Sequence, residues 1–293
     1  MSMTPTMTTD PQSAAMALPA QMVYGVWRRI LREAPLAEAM FDDAVDDAAL
    51  ERRFALSAPE CAAVRAYAAT PKPTRMFILN YRFRMVGSVQ NALESAAPLT
   101  YRAIKGAGLD LKALATEFLD SDGWRDDGPF VVGYCARVLD FLAEAPATAH
   151  PAGLRDLIAL DRATAGLIRS LADRPQAATP DDGRLHVTGR AVAVETAHDL
   201  SPWLRSTARI GQDDLPAKPS AYLSSMSDLA ASPKLSGLPL RAARILAALN
   251  AGAVDRQGLR QRLADAGELA ETPQDTALIA RLAERGAIVG PLA

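Results

Sequence analysis

Arg174-Pro175-Gln176-Ala177-Ala178-Thr179-Pro180-Asp181-Asp182-Gly183 divides the chain, and the change of pattern across it decides the fold. The run is Pro-rich, polar and aperiodic, the composition of a linker. Before it, apolar residues recur at three- and four-residue steps; after it, at every second residue. Upstream, Phe77, Tyr81, Met85, Val89 and Leu93 advance in strict steps of four, widened by Val86 and Ala92, until Pro98 intervenes. Val23, Val26, Trp27, Ile30 and Leu31 form an earlier helical stripe, and Ser57-Ala58-Pro59-Glu60 is a capping box opening a helix that stops before Pro71 and Pro73. Further helices are predicted over Leu109–Leu119, Phe130–Leu142 and Leu154–Leu171.

Downstream, Leu185 and Val187, then Val192 and Val194, flank Gly189-Arg190, which predicts a hairpin with a two-residue turn. Ala221–Met226 is a third strand. Three helices follow from Pro239, and Ala287-Ile288-Val289 is a short closing strand. The fold class is therefore mainly α with a small β component. Its expected organisation is a disordered tail (1–18), a helical domain (19–173), the linker (174–183) and a winged-helix-like module with a small antiparallel sheet (184–293).

With 293 residues the chain can bury a core without staples. Its 34 acidic and 32 basic side chains give a formal charge of −2, which argues against a general affinity for nucleic acid or an anionic membrane. Cys61 and Cys135 lie in apolar-periodic segments and read as small core residues of a reducing compartment. No apolar run approaches a membrane span and the N-terminus carries no secretory pattern, so the expected location is cytoplasmic.

Chemistry-bearing motifs are absent from the sequence. His150, His186 and His198 are scattered, and there is no His-Glu-x-x-His, paired Cys-x-x-Cys, nucleophile elbow, P-loop or dinucleotide fingerprint. No catalytic residue and no metal ligand is assigned. Asp42-Asp43, Asp46-Asp47 and Asp126-Asp127 read as solvated acids, since paired carboxylates need burial for acid/base work.

Function then rests on binding surfaces. Asn80, Arg82 and Arg84 form either a solvated face or a partner-binding one, and Trp124 is either a lid over the core or a recognition residue. The C-terminal outline could enter DNA, but the connection Asp265–Thr272 is long and acidic, and the last helix carries balanced charge. The small sheet offers an edge to which an extended peptide can add as a strand, unless the Trp203 loop or the helical domain covers it.

Asn80-Tyr81-Arg82-Phe83-Arg84 running into Val89-Gln90-Asn91-Ala92-Leu93, followed by Ala113–Leu119, Phe141-Leu142 and Asp156–Ala163, resembles the helical domain of a bacterial family once labelled "putative DNA-binding". Those proteins are partner subunits of multinuclear non-haem iron dependent oxidative enzymes that modify ribosomally made precursor peptides, as in 3-thiaglutamate, methanobactin and bufferin-type pathways. The resemblance spans about residues 50–172. It implies a non-catalytic subunit of a cytosolic heterodimer, which binds the precursor's leader and presents a cysteine-containing core to a separate TIM-barrel enzyme. The iron would belong to that enzyme, with no cofactor in this chain. The expected peptide-binding residues are Leu185, Val187, Val192, Val194, Tyr222 and Leu223; the expected enzyme interface is Arg82, Arg84 and Trp124. The rival readings are a DNA-binding transcriptional regulator with a helical sensor domain, and an enzyme whose site is assembled from dispersed residues.

Overall fold

The computed structural model describes residues 18–125, 131–173 and 182–291. All but the last residue of the expected tail and most of the expected linker, together with Asp126–Phe130, lie outside them. Helix dominates, with a small antiparallel sheet component, which is the class read from the sequence. Backbone packing divides the described chain into two compact units, residues 18–85 with 119–125, and residues 86–118 with 131–291.

In the first unit, α1 (Ala20–Arg32), α2 (Ala34–Ala39), α3 (Asp47–Phe54), α4 (Ala58–Ala68) and the first half of α5 (Pro71–Ala96) enclose a core of Val26, Ile30, Leu36, Met40, Leu50, Val64 and Ile78. The clustered acids act locally. Asp46 caps α3 by accepting from the Ala49 N–H at 2.7 Å, Asp47 pairs with Arg65 at 2.8 Å, and Glu60 completes the capping box with Ser57. Pro71 and Pro73 end α4 as predicted, yet they also lie in the first turn of α5, where a missing N–H costs nothing.

The second unit contains the rest of α5, α6 (Pro98–Gly106), the first part of α7 (Leu111–Asp122), α8 (Val131–Glu144) and α9 (Leu154–Asp173). It continues through β1 (His186–Val187), β2 (Ala191–His198), α10 (Ser201–Arg205), β3 (Ala217–Ser225), β4 (Lys234–Leu238), α11 (Leu240–Asn250), α12 (Arg256–Asp265), α13 (Asp275–Glu284) and β5 (Ile288–Val289). Leu185, Leu223, Ile245, Leu246, Leu263, Ile279 and Ile288 form one core beneath α11–α13.

The strand pairing corrects the predicted hairpin. β1 pairs with β5, not with β2, while β2, β3 and β4 form a separate antiparallel sheet in that order. The turn at Gly189 is real, but Thr188 anchors the chain on the β5 side: its N–H donates to Ala287 O at 3.0 Å and its hydroxyl to Gly286 O at 2.6 Å. Beyond it the Met226 N–H donates to Arg190 O, so the chain changes sheets within four residues. The strand over 221–226 is present within β3, and the closing strand is β5.

The backbones of Gly106 and Gly211 each approach a neighbouring segment of this unit too closely to admit a side chain. A Cβ on Gly211, whose φ is +80°, would meet the Ala103 carbonyl oxygen at 2.2 Å, and one on Gly106 would meet the Ile210 oxygen at 1.9 Å. Gly211→Ala is expected to lower stability by about 2–3 kcal/mol, combining left-handed strain with overpacking, as read from chemical denaturation.

Candidate functional site

Strand β4 is an edge of its sheet, paired only with β3 among the described residues. It is five residues long, bracketed by Pro233 and Pro239 and opened by Lys234, features that discourage indiscriminate pairing while leaving a short edge available. Its Ser236 hydroxyl and Gly237 carbonyl accept from Arg285 at 3.1 and 3.3 Å.

That edge flanks a cavity of about 670 Å3 within the second unit. The volume falls in the ordinary range of ligand sites, roughly 300–1,000 Å3. Pro98 and Leu99 of α6, Leu160 and Ile168 of α9, Leu204 of α10 and Leu235 of β4 make its apolar walls. Pairing places Val194, Tyr222 and Gly237 in one row across the sheet and Val192, Ser224 and Leu235 in the next. Because side chains alternate along a strand, both rows point to one face, and Tyr222, Ser224, Leu235 and Gly237 line the cavity on it.

A few polar groups fix the cavity's chemistry. The Thr164 hydroxyl donates to Ser224 Oγ at 3.0 Å, tying α9 to β3. The Tyr222 hydroxyl donates to Asp199 Oδ1 at 3.0 Å, and Asp199 also accepts from the Ser201 N–H and from Lys218. The hydrogen bonds from Ser201, ahead of those from Lys218 and Tyr222, hold the Asp199 carboxyl far below the usual carboxylate range.

Asp161 is the buried acid of the wall, only 4% exposed. It projects from α9 to the start of α6 and accepts from the Thr100 N–H at 2.7 Å, so a carboxylate 61 residues distant serves that helix's N-terminus. Burial raises its pKa from an ordinary 3.8 to about 6, against the opposing hydrogen bonds from Thr100 and Leu99. A raised folded-state value means the native state holds the proton longer than the unfolded one. Stability should therefore be full below about pH 4 and fall as pH rises through 6, by up to about 3 kcal/mol. Asp161→Asn should flatten that profile in denaturation curves recorded between pH 4 and 8.

The predicted peptide-binding residues are dispersed. Leu185 and Leu223 are fully buried core side chains beneath α11–α13, and Val187 lies on β1 opposite Ile288. Val192 and Val194 are half-buried on β2, facing Ser224 and Tyr222. Tyr222 alone of the six lines the cavity.

Of the predicted interface residues, Arg82 and Trp124 meet in the first unit, the guanidinium 5.1 Å above the indole ring. Trp124 is buried, its N–H donates to Asp120 at 2.7 Å, and its carbonyl accepts from the Tyr81 hydroxyl at 3.2 Å. It forms part of a separate cleft with Arg32, Glu33, Pro35, Arg53, Phe54 and Asp120. Arg84 is exposed and does not join this cleft.

The cysteines are core residues, and burial pushes the Cys135 thiol up to about 12. Among the described residues, no group of three or more His, Cys, Asp or Glu could hold a metal ion, and no helix is long and apolar enough to cross a membrane.

Fold and site together define a mainly helical chain whose small antiparallel sheet opens an edge beside an apolar cavity. No protein-family model matches the chain, and no curated protein matches it significantly.

Proposed function

We propose that this chain is a non-catalytic, cytoplasmic peptide-recognition subunit, which grips an extended precursor peptide and presents it to a separate iron-dependent oxidative enzyme. The observation that carries the peptide reading is the β4 edge, which pairs with no second strand among the described residues and lies beside the 670 Å3 cavity; an added strand would displace Arg285 from the Gly237 carbonyl. An added strand would take backbone hydrogen bonds from the outer side of β4, and its alternate side chains, about 7 Å apart, would enter the apolar space. This moves the expected contact surface from β1 and β2 to β4, with Tyr222 retained. The enzyme partner comes from the resemblance of residues 50–172, and the iron is placed in that partner. Gripping the leader would raise the effective concentration of the modifiable core, which turns a bimolecular encounter into intramolecular presentation.

DNA reading fits the C-terminal helices poorly. Nine residues, 266–274, separate α12 from α13, against the 3–4 of a helix-turn-helix turn. Asp275, which opens α13, is engaged by Arg241 at 2.7 Å.

Affinity purification of the tagged full chain from its host, with mass spectrometry and iron analysis of the eluate, tests the proposal. A near-stoichiometric iron-loaded protein together with a short precursor peptide is the expected result. Elution alone, or with DNA and no iron, overturns it.

A further inference from the structure

The first three turns of α5 carry an apolar face that the described residues of the first unit leave exposed. Met76, Leu79 and Phe83 are 53, 62 and 73% exposed, far above what large apolar side chains show in a closed core. At i, i+3 and i+7 they line one stripe of the helix, about 10 Å long, while Ile78 and Met85 on the opposite side face the interior. The i, i+3, i+7 spacing is that of anchor residues on a helix seated in a groove.

The charges that α5 itself carries beside the stripe are of one sign. Lys72, Arg75, Arg82 and Arg84 occupy this stretch, and no Asp or Glu occurs between residues 71 and 93. In helical projection Lys72 heads the stripe, Arg84 flanks it on one side, and Arg75 and Arg82 on the other. Arg75 lies over the Phe41 ring at 4.4 Å. Arg82 lies over the buried Trp124 at 5.1 Å with its Nε and Nη2 buried, which leaves Lys72, Arg75 and Arg84 as the exposed cations beside the stripe. A chain of net charge −2 thus carries three exposed cations beside three exposed apolar residues of one helix.

We infer that this face of α5 is a docking surface for a second, different protein, one that presents an apolar groove rimmed by carboxylates. Met76, Leu79 and Phe83 would fill the groove, and the cations would steer and register the approach. A second copy of this chain is a poorer occupant, since self-association would bring the same cations together. A lipid surface is poorer too, because the stripe is only three residues long and Ile78 and Met85 on the opposite side of the helix are buried. The inference does not depend on the peptide edge of β4.

The test places the photoreactive amino acid benzoylphenylalanine at position 83 of the full chain in its host, with position 269, an equally exposed leucine at 72%, as the control. Cross-linking from position 83 but not 269 to one other protein, on a segment rich in Asp and Glu, is the expected result. Lys72→Glu with Arg84→Glu should reduce that cross-link at least tenfold, as should Met76→Ser with Leu79→Ser. All four side chains are exposed, and an unchanged melting temperature would show that the fold is kept. A cross-link to a second copy, a cross-linked segment without acidic residues, no cross-link, or binding to anionic vesicles that Met76→Ser with Leu79→Ser abolishes would each overturn it. Recovery of an acidic partner that carries no iron would uphold this inference while refuting the enzyme assigned under the proposed function.

Discussion

Gly237→Trp is expected to abolish peptide binding, by at least about a hundredfold in Kd, with the melting temperature unchanged. Gly237 lines the cavity from β4, and a Cβ built there meets nothing within 4 Å, so the backbone can carry a side chain. Aromatic residues suit a half-buried strand, which removes folding as an explanation. An indole would occupy the space that the peptide's anchor side chain needs, and loss of one buried anchor is worth several kcal/mol at a small interface. Titration of the co-purifying precursor peptide against wild type and variant, by calorimetry or fluorescence anisotropy, reads the effect. Equal affinities would remove the cavity from the account.

Arg241→Ala is expected to destabilise the second unit by about 3–5 kcal/mol. Arg241 on α11 grips Asp275 at the start of α13 through two hydrogen bonds of 3.0 and 2.7 Å, and both side chains are largely buried. Burial alone would raise the Asp275 carboxyl; the Arg241 guanidinium, with donors from Thr272, outweighs it and holds the value near 2. Removing the cation leaves an uncompensated buried charge, whose cost is far larger than that of an exposed ion pair. Arg241→Met with Asp275→Leu should recover most of the loss, because the double change removes both charges together. Thermal and denaturant unfolding of the three proteins measures this directly. A loss in the double variant as large as in Arg241→Ala would assign the effect to packing.

Elements whose signal is local were legible from the residues alone. The capping box at Ser57, the step-of-four stripe of α5 and the apolar runs of α8 and α9 each depend on neighbours within a few turns. Strand pairing is not local. The alternation of Leu185, Val187, Val192 and Val194 predicts extended chain correctly, but partner choice was settled by Thr188 bonding to residues almost 100 positions away. Among the elements that escaped, two did so for related reasons. α6 begins at Pro98 and receives its N-terminal acceptor from Asp161, and β4 is a five-residue stretch containing Ser and Gly.

The candidate site was only partly legible. Its sheet face includes Tyr222, which the alternation identifies, but Leu235 and Gly237 sit in a strand too short to register. One signal was available: Leu157, Asp161 and Ala165 follow steps of four on α9, so Asp161 interrupts an apolar stripe. An acid in that position implies a buried partner, here the Thr100 N–H. Leu185 and Leu223 illustrate the converse, because apolar alternation marks strand residues that face a core as readily as those that face a ligand.

Peptide addition to β4 is tested most directly by hydrogen–deuterium exchange of the full chain, alone and with the co-purifying precursor peptide. The account predicts that backbone amides within Lys234–Leu238 slow by at least tenfold on binding, as outward N–H groups of an edge strand acquire partners. Unchanged exchange across 234–238, with protection appearing on β1 or β2 instead, would contradict it.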